Sequence, residues 1–436
     1  MIKQIPVCVH VTLWAVICCC LLVACNKDAL NEYSGSYKPN EESPTGNISD
    51  IIYIQTNNDQ KGQNAIIAYR VYEDGQPVLM KEGPFYTGGS GLPTSQNAGS
   101  FNSDQEVRLT NDKRFLLTVN SGDNTISVFA VQSGGTLKLV TGAPFPSGGE
   151  TPVSIDMWQQ YVIVLNKSNH PAQPSSSAPN YAVFTLNGDG SLTPVSKFEL
   201  REGISPGQVF VSRTGAFVYG SNTWGFNYTP PAIRLNLFSI GSNGMLKAGE
   251  DAPPIDSNLP GALGMCQNWR QNVLYVAFPF SAQFNFYDMN TNTGALTYAG
   301  NAFARPGCSR FCSNNMNNKL FTANTIDNSV SMFDITNARA PGKLGELSLK
   351  ETGPVYNGYF GSYTSSQCVS LATSSNDQLL YVVSQHANPD LSIGNYNYLH
   401  VLHIVEGVGL QEWDEPVQLP VPNSMRPRGL AVLKLN

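Results

Sequence analysis

Apolar and polar positions alternate along this chain with the period of a β-strand, and the alternation arrives in one recurring phrase. An apolar strand runs into an Asn-containing turn, a second strand ends on an aromatic, and a Gly-containing turn leads to a third. FLLTVNSGDNTISVFAVQSGGTLKLV and LFTANTIDNSVSMFDITNARAPGKLGEL show the phrase most plainly, and five further copies follow the same plan. The landmarks Tyr69, Phe129, Phe184, Phe238, Tyr287, Phe333 and Leu402 are 46 to 69 residues apart. A unit of that length is a small antiparallel sheet that cannot cover both its faces without neighbours. The pattern predicts an all-β chain, a seven-bladed β-propeller of four-stranded antiparallel blades. The chain enters at Ile51 on a strand of the kind that comes second elsewhere, while Arg428 to Leu435 resembles a first strand with no successor. The C-terminal strand is therefore expected to close the first blade, hiding both free edges and making 51–436 one domain.

Residues 1–24 stand outside this pattern. Lys3, an apolar run from Leu13 to Leu22, and then Leu22-Val23-Ala24-Cys25 have the form of a secretion signal ending in a lipoprotein cleavage box, with Cys25 as the lipidated residue. The run is short for a membrane span and gives way at once to polar sequence. Residues 25–50 are rich in Pro, Gly, Ser and Asn and read as a flexible tether. The expected location is the cell envelope, as a periplasmic or outer-membrane and cell-surface lipoprotein held to the membrane by its N-terminal lipid.

Composition adds exclusions. Charged residues make up 13% and the formal net charge is −6, without a basic run, so no nucleic-acid partner is expected. Of nine cysteines, five lie in the leader or at Cys25, leaving Cys266, Cys308, Cys312 and Cys368. Four cysteines allow three full pairings, and the sequence does not choose among them. Cys308 and Cys312 have no histidine or second cysteine pair beside them, so no metal is expected. Asp123-Asn124-Thr125 and Asp327-Asn328-Ser329 recur at equivalent turns and read as turn chemistry. No Gly-rich loop opens a helix, and no cofactor is expected.

The blade phrases NDKRFLLTVNSGDNTISVFAV and NKLFTANTIDNSVSMFDI resemble those of the lactonase-type seven-bladed propellers, the group of 6-phosphogluconolactonases and carboxymuconate cyclases. Other propellers of YVTN type share much of the phrase, so the resemblance implies fold more firmly than chemistry. It also implies a Pro-Arg-His-x-x-Phe segment on an inner strand and a Glu after the Asn of the next. The matching positions here hold Pro306-Gly307-Cys308-Ser309-Arg310-Phe311 and Asn324-Thr325, and blade four offers Pro206-Gly207-Gln208. The implied arginine, histidine and glutamate are absent from those places.

Lactone hydrolysis needs a water activated by a group with a near-neutral pKa, and a cationic or amide donor where the oxyanion grows. Arg305 and Arg428 stand at inner-strand entrances, Glu106 begins another inner strand beside Arg108, and His386 follows Leu380-Tyr381-Val382-Val383 at the start of a long insertion. These four are the catalytic candidates. Ligand-binding candidates are Trp224 and Tyr228 in an aromatic loop, Arg426 before the last strand, and Tyr356 and Tyr396 in insertions that mix rings with amides. Such rings suit the apolar and hydroxylated sides of a sugar.

Two function classes follow. The leading expectation is a propeller that binds a carbohydrate or related polar small molecule; the alternative is a lactonase-like hydrolase of a sugar lactone. The sequence leaves the question of enzyme activity open, with a protein partner as a third class.

Overall fold

The computed structural model describes residues 44–93, 99–168, 177–201, 204–225, 234–249, 261–358, 361–412 and 414–435. Seven antiparallel sheets are arranged as blades, each with four strands in its main path. The inner strands, in ring order, are Arg428–Lys434, Val107–Leu109, Pro152–Trp158, Pro206–Val211, Met265–Asn268, Cys308–Ser313 and Ser366–Thr373. Blade one is closed as the sequence predicts. Arg428–Lys434 pairs with Ile48–Gln55, in a register that puts Leu433 opposite Ile51 and Ala431 opposite Tyr53. A separate hairpin, Val355–Gly358 with Gly361–Thr364, stands before the inner strand of blade seven.

The recurring Asn has a local cause. It ends the second strand and its side-chain amide reaches across the turn to the third: Asn120 donates to Ser127 Oγ at 2.8 Å and Asn324 to Ser331 Oγ at 3.0 Å. Asn166 and Asn222 do the same toward Asn180 and Asn236. The amide satisfies polar groups at the point where the sheet turns away from the axis.

The aromatic landmarks are buried between blades, which is why one blade cannot stand alone. Phe184 of blade three lies in one cluster with Leu117 and Val128 of blade two, and Tyr69 of blade one lies with Tyr381 and Val383 of blade seven. A second-strand tyrosine also hydrogen-bonds the neighbouring blade. Tyr53 donates to the Gly135 carbonyl at 2.6 Å, Tyr219 to Gly294 at 2.8 Å and Tyr275 to Ala338 at 3.0 Å. Burial in both directions fixes the ring and brings seven inner strands side by side around one axis.

Candidate functional site

The long connection from blade one to blade two crosses the propeller axis. A helical turn at Gly99–Phe101 is followed by Asn102 to Glu106, and this segment is bonded to five other blades. Arg310 of blade six donates through Nη2 to the carbonyls of Ser100, at 2.7 Å, and Ser103. Lys167 of blade three donates to the Asn102 carbonyl at 2.7 Å, and Gln385 of blade seven to Ser100 Oγ at 2.8 Å. Asp104 N–H donates to the Gly207 carbonyl of blade four at 3.2 Å. Phe101 anchors the segment in a small apolar cluster with Leu263 and Tyr363, flanked by Trp224, Phe280 and Tyr356. The result is a cap over one mouth of the axial channel.

Charged groups collect beneath it. Glu106 is buried and accepts from Ser103 Oγ at 2.7 Å, while its Oε2 has no protein partner. Arg428 is buried and donates from Nη1 to the same hydroxyl at 3.4 Å; its Nε and Nη2 have no protein partner. Arg310, with a side chain 3% exposed, holds Nε 3.7 Å from Asp104 Oδ1, an ion pair too long for a hydrogen bond. Lys167, Arg310, Arg426 and Arg428 are therefore four buried cations against the two acids Asp104 and Glu106. Buried charge without full pairing is costly, and an excess of donors favours an anionic or strongly polar guest.

This crowding moves the pKa values toward neutrality. Burial, reinforced by the Glu106 carboxylate and opposed by Arg310, pushes the Asp104 carboxyl up to about 7. Burial beside Arg428 brings the Lys167 ammonium down to about 7. Arg428 itself falls to about 10 through burial and the neighbouring arginines, against the pull of Glu106. Asp104 is the member of this group with a way out: its side chain keeps 15% exposure and faces an axial cavity of about 400 Å³. Asp104, Gln208 and Arg310 line its inner end, and Arg108, Asn111, Ser313 and Lys434 its outer reach.

The structure brings some of the candidates together and parts others. Arg428 and Glu106 meet at the axis, with Arg426 and Tyr356 electrostatically coupled nearby. Arg305 is drawn away: it pairs with Asp327 and Glu346, the latter on the outer strand Gly342–Ser348 of its blade. His386 is the last residue of the strand Leu379–His386, not the start of a loop, and is buried with Nε2 bonded to the Asn388 carbonyl at 2.9 Å. Burial lowers its pKa, and Tyr396 stacks on its ring. Trp224 packs at a tilt of 50° on Phe280, ring centroids 5.3 Å apart, within the cluster that seats the cap. These rings close the mouth and do not form an open shelf. Tyr228 and Cys25 lie outside the described residues. Cys266, Cys308, Cys312 and Cys368 are free thiols.

Sequence reasoning missed Asp104, Lys167 and Arg310 as site residues. Arg310 lies on the inner strand Cys308–Ser313, but a register shift between Cys308 and Arg310 interrupts the period-two alternation that would have put both on one face; Lys167 and Asp104 sit in connections whose path no local pattern specifies. Among the described residues, no group of three or more His, Cys, Asp or Glu is placed to hold a metal, and no helix is long and apolar enough to cross a membrane.

Comparison with known proteins agrees with this architecture. The family described as Lactonase, 7-bladed beta-propeller matches residues 86–174, the stretch that contains the cap and Lys167. A putative 6-phosphogluconolactonase from Bacteroides fragilis superposes with a TM-score of 0.65 at 14% identity, covering 90% of this chain and 100% of that one. One from Bacteroides uniformis gives 0.64 at 15%, covering 89% and 100%. A periplasmic gluconolactonase from Pseudomonas aeruginosa gives 0.64 at 15%, covering 88% and 100%. At these identities the likeness is one of fold: the chain has the fold of the lactonase-type seven-bladed propellers. No curated protein matches it.

Proposed function

We propose that this protein is a lactonase-like hydrolase of a sugar lactone, working at the axial cavity beneath the cap. The observation that carries the reading is the pair Asp104 and Arg310, a carboxyl with a pKa of about 7 beside a buried guanidinium, at the inner end of a solvent-connected cavity. A base poised near neutral pH and a cationic donor are what the reaction needs. Asp104 takes a proton from a water that attacks the lactone carbonyl. The oxyanion is stabilised by the Arg310 side chain, whose Nε has no hydrogen-bond partner. The ring C–O bond then breaks, its oxygen takes up the proton, and one water has been consumed to give a hydroxy acid. The closed aromatic cluster around Trp224 counts against a glycan shelf.

Binding of a sugar acid without turnover is the second reading. It is favoured by Cys308 and Thr325, which occupy the positions where the family resemblance implies histidine and glutamate. The leader and the box before Cys25 support an extracytoplasmic, lipid-anchored location. A panel of aldonolactones followed by proton release tests the main reading. Turnover by the wild type and its loss in folded Asp104→Asn support it; binding of gluconate without turnover selects the second reading. Incorporation of labelled palmitate by wild type but not by Cys25→Ala tests the anchor.

A further inference from the structure

We infer that the ligand reaches the axial cluster from the propeller face opposite the cap, through a channel whose rim selects a small anionic polyhydroxylated molecule. The inference rests on the reading of Asp104 and Arg310 as the ligand site and goes on to name the route and charge of what arrives there.

Each inner strand runs from the capped end of the axis toward the turn that joins it to the second strand of its own blade. The capped end holds Glu106, Arg428 and the start of Cys308–Ser313; the far end holds Asn111, the end of Cys308–Ser313, and Thr373. Among the described residues, the capped mouth is filled by Ser100, Phe101 and Asn102, held from blades three, six and seven. The cavity of about 400 Å³ is lined instead from Asp104 and Arg310 toward Asn111, Ser313, Thr373 and Lys434. Its open side is therefore the face of the first-to-second-strand turns.

The rim is cationic. Arg108 keeps 42% exposure of its side chain, and its pairing with Asp156 at 3.1 Å leaves Nε without a protein partner. The Asp156 carboxylate is already engaged, accepting from Met157 N–H at 2.9 Å and Val211 N–H at 2.7 Å. Lys434 lines the same opening and donates to Asn315 Oδ1 at 2.6 Å. A second hollow of about 250 Å³ shares Arg108, Asn111, Cys266 and Ser313 with the channel and adds Arg213. An anion drawn to this rim passes from Arg108 and Lys434 to Arg310, with Gln208 and the Asp104 carboxyl to meet hydroxyl groups. The cavity lies at the small end of the roughly 300–1,000 Å³ range of ligand sites, which suits a single sugar acid or acidic lactone.

The test uses gluconate as a stable probe, with association followed by stopped flow and turnover of gluconolactone in parallel. Asn111 is exposed at the rim, so Asn111→Trp should fold; Ser313→Trp narrows the opposite wall and Lys434→Gln removes a rim charge. We expect association to fall by about 10-fold or more in either Trp variant and by about 3-fold in Lys434→Gln, with a salt dependence weaker than wild type. Phe101→Ala, which loosens the cap, should leave association within about 2-fold. Folded rim variants with wild-type association, or a Phe101→Ala variant that accelerates it 10-fold, overturn the route while leaving the site reading intact. A wild type that neither binds gluconate nor hydrolyses the lactone removes the site reading and the route with it.

Discussion

Arg310 Nη2 donates to the carbonyl of Ser100 at 2.7 Å, tying the inner strand of blade six to a turn 210 residues earlier in the chain. The same nitrogen also bonds the Ser103 carbonyl. Two buried backbone acceptors thus depend on one guanidinium. Arg310→Met should leave both unsatisfied and destabilise the protein by about 2–4 kcal/mol, while Arg310→Lys, a point charge without the planar fork, should recover only part of it. Urea unfolding followed by intrinsic fluorescence reads the difference. A Met variant within 0.5 kcal/mol of wild type, on the ordinary scale of surface substitutions, would show that the cap is not held this way.

The pKa values of Asp104 and Lys167 make opposite predictions for stability. Asp104 has its folded value raised from 3.8 to about 7, so its protonated form is the one the fold favours. Stability from this group is fully present below pH 3.8 and is lost as pH rises through 7. Lys167 has its value lowered from 10.5 to about 7, so its penalty is complete below 7 and is relieved as pH rises toward 10.5. Together they place a dip in stability near neutral pH. Asp104→Asn should flatten the falling limb and Lys167→Met the rising one, in melting temperatures taken across the range. If Asp104 is also the base, lactone turnover in wild type rises through pH 7 to a plateau and drops by about 10²–10⁴-fold in Asp104→Asn.

Blade seven holds an arrangement with the outline of a catalytic triad. Ser384 Oγ lies 2.9 Å from His400 Nε2, and His400 Nδ1 lies 2.6 Å from Glu412 Oε1. All three side chains are buried, and Ser366 Oγ donates to Ser384 Oγ at 2.8 Å, so the hydroxyl has no approach for a substrate. Triads are recognised by geometry together with access and an oxyanion site, and this one is a strut between the second, third and fourth strands. We expect Ser384→Ala to leave lactone turnover unchanged and a serine-directed fluorophosphonate to leave the native protein unlabelled. His400→Ala, which takes away one hydrogen-bond partner of the Glu412 carboxylate and leaves it the Lys350 N–H at 2.8 Å, should cost about 1–3 kcal/mol.

The contrast between those sites shows what the sequence could carry. Blade number, closure by Arg428–Lys434 and the buried landmarks from Tyr69 to Leu402 were legible because each follows from a period-two pattern and a repeated turn. Glu106 and Arg428 were legible as axial residues because inner-strand starts converge by topology. Arg305 stood at an equivalent start, yet Asp327 and Glu346 pull its side chain outward, a competition that depends on tertiary neighbours. Trp224 is a ligand-surface candidate on its aromatic loop sequence alone, but Phe101 and Phe280 come from distant segments to cover it. In the sequence the cap shows only as a long Gly-, Ser- and Asn-rich stretch from Gly88 to Asp104. Its path across the axis is fixed by Arg310, Lys167 and Gln385, none of which is local to it.

Restoring the implied family motif at its matching positions should fail. Gly307 has φ +83°, and a Cβ there would lie 2.3 Å from the Ile326 backbone nitrogen and 2.9 Å from that of Thr325. Both atoms are main chain and cannot swing aside, so Gly307→Arg demands a shift of the turn after the next strand as well as a left-handed backbone for a residue that disfavours it. Cys308 is fully buried in the cluster containing Tyr275, Phe284 and Phe333, where an imidazole adds volume and an unpartnered polar edge. The double variant Gly307→Arg with Cys308→His should therefore lose stability by about 3 kcal/mol or more and gain no lactone turnover. Thermal melts and the aldonolactone panel decide it together. A double variant that stays as stable as wild type and turns over faster would mean that the axial end of blade six can still be rebuilt into the family's site, and that Asp104 is not the base.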